Sequence, residues 1–246
     1  MEWIMTKAKL DEITKTFGEP ELEYKKRMVH CRNIKKIGNV LGLNSKVVSL
    51  AQTVFMRFFL KRKLEGVKTE YVVAASLFLC MKLEDCRNRA IEELIRTTTE
   101  VLHITYKMEE RMVLQFERAV LIGIMFRLDI DTPHTYLKRL SVLLKVDMQI
   151  SIAAHNFAND MCSTYLPLTH QPFCLAILAF CFAAKQSKIE LMYDADLLKN
   201  VCKELNIPIP DDSKDKTGQI NLLLFFTIRA DFVQQAMTAL YLFYKP

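Results

Sequence analysis

The spacing of apolar and polar positions predicts helix along almost all of this 246-residue chain, and its most informative stretch is Tyr71–Asp85. YVVAASLFLCMKLED places apolar residues on nearly every face of a helix, the pattern of a helix buried at the centre of a bundle. The apolar run stops at Lys82, and Glu84, Asp85 and Arg87 follow. Such a helix builds a core with its body and delivers one lysine and a charged turn to the surface at its end.

The rest of the first half is arranged around it. Met1–Pro20 reads as a loose arm with a short helix, closed by Gly18 and Pro20. Glu21–Leu41 is a basic amphipathic helix, with Met28, Cys31, Ile34, Ile37 and Leu41 on its apolar side and Lys25, Lys26, Arg27, Arg32, Lys35 and Lys36 between them. Gly42 suits its end, and Asn44 or Ser45 can cap the next helix, Lys46–Lys63, whose dense apolar spacing touches core on two sides. A short helix is predicted over Arg89–Thr97, ended by the β-branched run Thr97–Thr99. Tyr106–Leu128 is a long amphipathic helix on which Glu117 stands among Phe116, Val120 and Leu121. Pro133 then opens a new helix, with Asp131 or Thr132 as its cap.

The second half repeats the plan. Helix Ser151–Tyr165 precedes a loop bracketed by Pro167 and Pro172. Gln171–Lys185 is a second helix apolar all round, again ending in lysine. Tyr193–Leu205 is short and amphipathic, IPIPDDSKDK is a surface loop, and Gln219–Tyr244 is one long final helix matching Tyr106–Leu128. VVAASLFLCMK and LAILAFCFAAK align in register, so the chain is expected to be all-α and built from two tandem five-helix repeats with an extra N-terminal helix.

Composition narrows the picture. Hydrophobic residues make up 51% and charged residues 25%, which excludes a disordered chain, and 6 Gly with 7 Pro fit helix throughout. The net charge of +6 suits an acidic or nucleic-acid partner, and the cluster Lys61, Arg62 and Lys63 joins Lys25, Lys26, Arg32, Lys35 and Lys36 as a possible basic surface. No stacking aromatics interleave with these residues as they do in single-strand binders. Seven cysteines, odd in number and without CxxC, read as core residues of an intracellular, reducing setting. The longest apolar runs, Leu175–Ala184 and Leu222–Ile228, are too short for a membrane span, and Met1–Leu10 lacks a leader's apolar segment. No Gly-rich phosphate loop, GxSxG or HExxH occurs, and the five histidines have no metal spacing. No catalytic residue, metal or cofactor is therefore expected.

Four stretches carry a resemblance. MRFF at Met56–Phe59 resembles the HRFF or HRFY that ends the first cyclin-box helix. AASLFLCMKLED at Ala74–Asp85 is similar to the family's alanine-phenylalanine-lysine-acid stretch. LQFERAVLIGIMFRLDIDTPHTYLKRL at Leu114–Leu140 resembles its glutamate helix and following HPH.YL. LPLTHQPFCLAILAFCFAAK at Leu166–Lys185 looks like the opening of the second box in transcriptional cyclins. The likeness runs from about Glu21 onward and points to the cyclin T, K and L group, with an arm and basic helix at 1–44 and boxes at 45–130 and 131–246.

The resemblance implies a regulatory subunit, not an enzyme, that forms a heterodimer with a cyclin-dependent kinase. Through that kinase it would act on the C-terminal domain of RNA polymerase II in transcription elongation, in the nucleus. It implies that Lys82 and Glu117 hold the kinase's regulatory C-helix region, with Phe78, Leu79 and Phe126 as apolar anchors. Cyclins of the L, C or H type are the alternatives within the family. Three departures stand out. Met56 precedes Arg57, so the buried aspartate that partners Arg27's counterpart in cell-cycle cyclins is missing; KRMVH at Lys26–His30 does not resemble the MRAIL docking patch; Ile124–Met125 replaces the usual LG before Phe126. Two readings from other classes compete: a DNA-binding factor resembling transcription factor IIB, and a helical adaptor that binds without activating.

Overall fold

The computed structural model describes residues 3–86 and 91–245. Among these the architecture is all-α, as expected, apart from one two-stranded ribbon. Arg87 of the charged turn and the helix start expected at Arg89 lie outside the described residues. The chain up to Ile130, together with Cys162–Thr169, makes one compact unit, and Asp131–Met161 with the chain from His170 onward makes a second.

The first unit holds α1 (Lys7–Lys15), α2 (Pro20–Val40), α3 (Ser45–Phe58), α4 (Thr69–Leu83), α5 (Ile91–Val101) and α6 (Glu110–Gly123). The arm is docked: Leu10 and Thr14 are buried, and the Tyr24 hydroxyl donates to Asp11 Oδ1 at 2.8 Å. In α2 the period of the apolar positions buries Tyr24, Met28, Cys31, Ile34 and Ile37, so the basic helix packs on α3, α4 and α5 as an integral member of the bundle. Asn44 starts α3 by accepting the Val47 N–H at 2.9 Å, and every residue from Val47 to Phe58 is buried. Gln52 donates to the Cys31 carbonyl and to Ser163 Oγ, both at 2.9 Å, which ties residues 162–169 into this unit. Within α4 every side chain from Tyr71 to Leu77 is buried, and α2, α3, α5 and α6 all pack on it.

The second unit holds α7 (Pro133–Leu143), α8 (Met148–Cys162, but for its last residue), α9 (Pro172–Gln186), β1 (Met192–Asp194), α10 (Ala195–Glu204), β2 (Gln219–Asn221), α11 (Leu222–Phe225) and α12 (Ala230–Tyr244). The repeat extends to backbone detail. Helices α4 and α9 are each 15 residues long with lysine next to last. Each ends in the same way: Asp85 at φ 57° and Lys188 at φ 56° adopt the left-handed conformation, and the next amide turns back to the helix. Cys86 N–H reaches the Met81 carbonyl at 2.8 Å, and Ile189 N–H reaches that of Ala184 at 2.9 Å.

Several expected boundaries move for local reasons. α5 runs past the threonines to Val101, because Thr99 returns its hydroxyl to the Ile95 carbonyl at 2.8 Å and Thr97 and Thr98 are buried. The helix expected over Tyr106–Leu128 is shorter at both ends: the Tyr106 hydroxyl is held by Glu70, and Met125 and Phe126 are left-handed at φ 55° each. The single helix expected over Gln219–Tyr244 is instead three elements. Gln219–Asn221 pairs antiparallel with Met192–Asp194, Asn221 Oδ1 caps α11 through the Leu223 N–H at 2.9 Å, and Thr227 at φ 49° closes it after one turn. The same ribbon removes Tyr193 and Asp194 from the helix expected there, and Asp194 becomes the cap of α10.

His134 sits half-buried on α7 with Nε2 2.9 Å from Asn159 Oδ1, and burial pushes its pKa down to about 4; burial does the same to His170, stacked on Phe232. Between pH 6.5 and 4 the unfolded chain therefore binds protons that the folded chain refuses, so stability is full above pH 6.5 and falls with acidification. His134→Gln should flatten the decline in Tm across that window, and a slope identical to wild type would sink the assignment.

Candidate functional site

The site is built at the end of α4. Because α4 is buried from Tyr71 to Met81 except for the half-buried Phe78, Lys82 is the first position of its body where a charged side chain reaches water. The neighbouring helix α6 packs along α4 through a cluster of Tyr71, Ala74, Met108 and Val113, with Phe116 stacked on the Tyr71 ring at 5.5 Å. That packing fixes the rotation of α6 and turns Glu117 toward α4.

Lys82 and Glu117 form an ion pair. The lysine side chain is 51% exposed and the glutamate 10%, so a nearly buried carboxylate is neutralised by an ammonium that also faces solvent. Their contact is a charge contact and not an aligned hydrogen bond, since Glu117 Oε1 has no hydrogen-bond partner of good angle. One turn earlier on α4 the half-buried Phe78 ring lies 4.7 Å below the Lys82 ammonium, close enough for a cation–π contact. A second ion pair, Lys46 Nζ to Glu84 Oε2 at 2.7 Å, anchors the start of α3 to the turn after α4. Sequence reading missed it, because the partners are far apart in the chain.

The five expected docking residues do not all reach the surface. Lys82 and Phe78 do. Glu117 is presented only through its contact with Lys82. Leu79 is buried at 4% exposure and supports α4 from inside, so it cannot be touched by a partner. Phe126 is 64% exposed, in the left-handed turn that follows α6. Exposed apolar side chains that the sequence reading did not single out stand on the same elements: Leu83, Leu114, Ile122 and Met125. Leu114 lies three residues before Glu117, on the same face of α6. The signal that could have found it is its apolar character on the polar side of the helix.

The departures in sequence have structural answers. Arg27 is buried and faces Glu23 on its own helix at 4.0 Å, in place of an aspartate before Arg57; burial pulls its pKa down against the pull of Glu23. Arg57 is covered by the Trp3 ring at 5.1 Å, and burial lowers its pKa to about 10. Met125 takes a conformation that glycine adopts without strain, which explains why glycine suits that place in the family pattern.

The basic surface is partly consumed internally. Lys25 meets Glu21 at 3.2 Å, and Lys26 meets both Glu23 and Glu65 at 3.0 Å. Arg62 lies 4.5 Å over the Phe58 ring and donates to the Phe58 carbonyl at 3.3 Å. Arg32 and Lys35 are half-buried, and Lys36, Lys61 and Lys63 are exposed. All seven cysteines are free thiols; burial raises the pKa of Cys181 to about 12 and that of Cys202 to about 11, which suppresses the nucleophilic thiolate. Among the described residues no group of three or more His, Cys, Asp or Glu is placed to hold a metal, and no helix is long and apolar enough to cross a membrane.

The first unit is thus a helical bundle whose central helix ends in a lysine paired to a glutamate on the neighbouring helix. Residues 5–129, just over half of the chain, match the family described as cyclin, N-terminal domain, and the chain belongs to the cyclin family. It is 27% identical over 184 residues to cyclin-K of Danio rerio, covering 70% of this chain and 43% of that protein. It is 22% identical over 207 residues to cyclin-T1 of Bos taurus, covering 79% of this chain and 28% of that one. The chain thus spans less than half the length of these relatives. In fold it is similar to a chain of the yeast RNA polymerase II C-terminal-domain kinase complex CTDK-1, at a TM-score of 0.68 and 14% identity, covering 77% of this chain and 64% of that one. It is also similar to a chain of the yeast TFIIK complex, at a TM-score of 0.61 and 19% identity, covering 83% and 95%.

Removing one partner of the central pair strands the other. Lys82→Ala should cost about 1–2 kcal/mol by leaving Glu117 nearly buried without a counter-charge, while Glu117→Gln should cost less. The double variant should cost less than the sum, a coupling of about 1 kcal/mol in a urea-denaturation cycle; strict additivity would show the pair contributes nothing. Met125→Gly should raise stability by about 0.5–1 kcal/mol through relief of the left-handed strain, measured in the same titration.

Proposed function

We propose that this chain is the regulatory subunit of a cyclin-dependent kinase that phosphorylates the C-terminal domain of RNA polymerase II. The observation that carries the reading is the Lys82–Glu117 pair, held at the end of a largely buried helix with the Phe78 ring under the lysine, while Leu114 and Phe126 stand exposed on and just after the helix that bears Glu117. On docking, the lysine donates to carbonyl groups and the glutamate accepts from N–H groups of one short kinase segment, so that each trades its partner for a charge-assisted hydrogen bond. The half-buried Phe78 ring, with the exposed Leu114 and Phe126 side chains of the neighbouring helix and its closing turn, supplies the apolar anchors. Held in this way, the kinase's C-helix keeps the orientation that completes its own Lys–Glu pair, and its activation loop is released. This chain contributes binding energy and shape, and no chemical step.

In this reading the chain carries two cyclin boxes, 45–130 and 131–246, preceded by the arm and basic helix of 1–44; the first compact unit contains the arm, the basic helix, the first box and residues 162–169 of the second. The relatives named cyclin-K and cyclin-T1, with the polymerase C-terminal-domain kinase complex CTDK-1 among the similar folds, support a transcriptional role and hence a nuclear location. The DNA-binding alternative loses support, because Lys25, Lys26 and Arg62 are already engaged within the protein.

A charge swap separates docking from folding. Lys82→Glu with Glu117→Lys keeps an internal ion pair and presents the opposite charges to a partner. When the tagged protein is recovered from its own cells, the wild type should bring down a kinase that phosphorylates a polymerase tail-repeat peptide. The swap should bring down at least tenfold less activity while its Tm moves by only a few degrees. Equal activity with the swap, or recovery of promoter DNA in place of a kinase, would overturn the reading.

A further inference from the structure

The internal repeat breaks at one place, and the break leaves a surface. In the first unit α6 packs along α4 and supplies Glu117 as the counter-charge of Lys82. In the second unit α11, rather than α12, packs closely on α9. Beside Lys185, which corresponds to Lys82, stand Cys181, Lys188, Glu190, Asn221 and Leu223 in a hollow of about 400 Å³. Both lysines and Glu190 are exposed, and among the described residues no ion pair joins the glutamate to either lysine. The hollow therefore carries an excess of positive charge with no internal counter-charge in contact.

Asn221 and Leu223 line both this hollow and a larger, adjacent one of about 790 Å³ beside α11 and α12. Its walls are Leu223, Leu224, Ile228, Val233, Met237 and Tyr241. Three of these large apolar side chains are mostly in water: Leu224 at 65%, Met237 at 55% and Tyr241 at 60% exposure. On α12 the lining residues Ala230, Val233, Gln234, Met237, Thr238 and Tyr241 recur at helical spacing, so they form one stripe. At 1.5 Å per residue the stripe is about 16 Å long, the reach of about five extended residues.

We propose that this groove docks a short linear segment of a partner protein, one that carries two or more apolar side chains and an acidic residue at one end. The apolar side chains cover Leu224, Met237 and Tyr241, and the carboxylate takes up the counter-charge position beside Lys185 and Lys188 that Glu117 fills in the first unit. The length favours a peptide over a compact small molecule, and the unpaired lysines favour an acidic one. The proposal concerns the second unit alone and does not depend on the kinase reading.

The test is to pan a random twelve-residue peptide phage library on the immobilised full chain, then to synthesise the enriched peptides with a fluorescent label and measure anisotropy. Enriched peptides should share at least two apolar residues and an acid. Their Kd should weaken at least tenfold with Lys185→Glu plus Lys188→Glu, and likewise with Met237→Asp, while the Tm of each variant stays near wild type. Replacing the peptide's acid by its amide should weaken binding several-fold, and raising salt should do the same. No enrichment, or peptides indifferent to both variants, would overturn the proposal. A concentration-dependent dimer in sedimentation that Met237→Asp abolishes would also overturn it, by assigning the face to a second copy of the chain.

Discussion

The first unit depends on one constraint: a helix with no polar face cannot touch water. From Tyr71 to Leu77 every side chain of α4 is buried, and each large one removes apolar surface worth about 1.5–3 kcal/mol. Water can be kept away on all sides only if several helices surround it, and α2, α3, α5 and α6 do so. The position at which the enclosure ends is therefore fixed by where the sequence turns polar. Lys82 marks that place, and it is rigid because everything before it is clamped.

The second unit obeys the same constraint with different means. α9 is as apolar as α4 and has the same length, the same penultimate lysine and the same left-handed stop three residues on. What differs is the element that lies beside its end. A two-stranded ribbon and a one-turn helix stand there, and the polar side chain they contribute to the hollow beside Lys185 is an asparagine, not a carboxylate. A repeat that conserves its core helix and changes the neighbour preserves stability, since burial is retained, and alters what the exposed lysine can recognise.

Much of this was legible in the chain, and the parts that were not share a physical cause. The centres of α2, α3, α4 and α9 follow from apolar period alone, because burial on one or all faces is written directly in residue spacing. Caps such as Asn44 and the glycine stop at Gly42 are local and were equally readable. Lys82 and Glu117 came together through family resemblance. Nothing in the spacing of α4 and α6 says which rotation brings them into contact; the Tyr71–Phe116 stack does. Where contacts between distant residues decide, periodicity fails. Tyr106 leaves its helix to reach Glu70, Lys26 is neutralised by Glu65, and Asn221 starts a new helix inside what reads as one long amphipathic run. Leu79 illustrates the same limit: its apolar character fits an anchor or a core residue equally well, and only the packing around α4 decides for the core.

The internal pairing of Lys82 and Glu117 bears on how a partner is bound. A nearly buried glutamate left alone would be costly to hold charged, and a solvated lysine left alone would sample many rotamers. Joined, each fixes the other, and the Phe78 ring under the ammonium restricts the lysine further. A partner segment then meets two charges already in place, so it does not have to order them, although it must compete with a contact that already exists. The net gain is the difference between the new charge-assisted bonds and the internal ion pair they replace, which is small for any segment whose carbonyl and amide groups do not match the spacing of the two side chains. Selectivity for one backbone geometry follows from that near balance, and affinity is left to the apolar side chains around it.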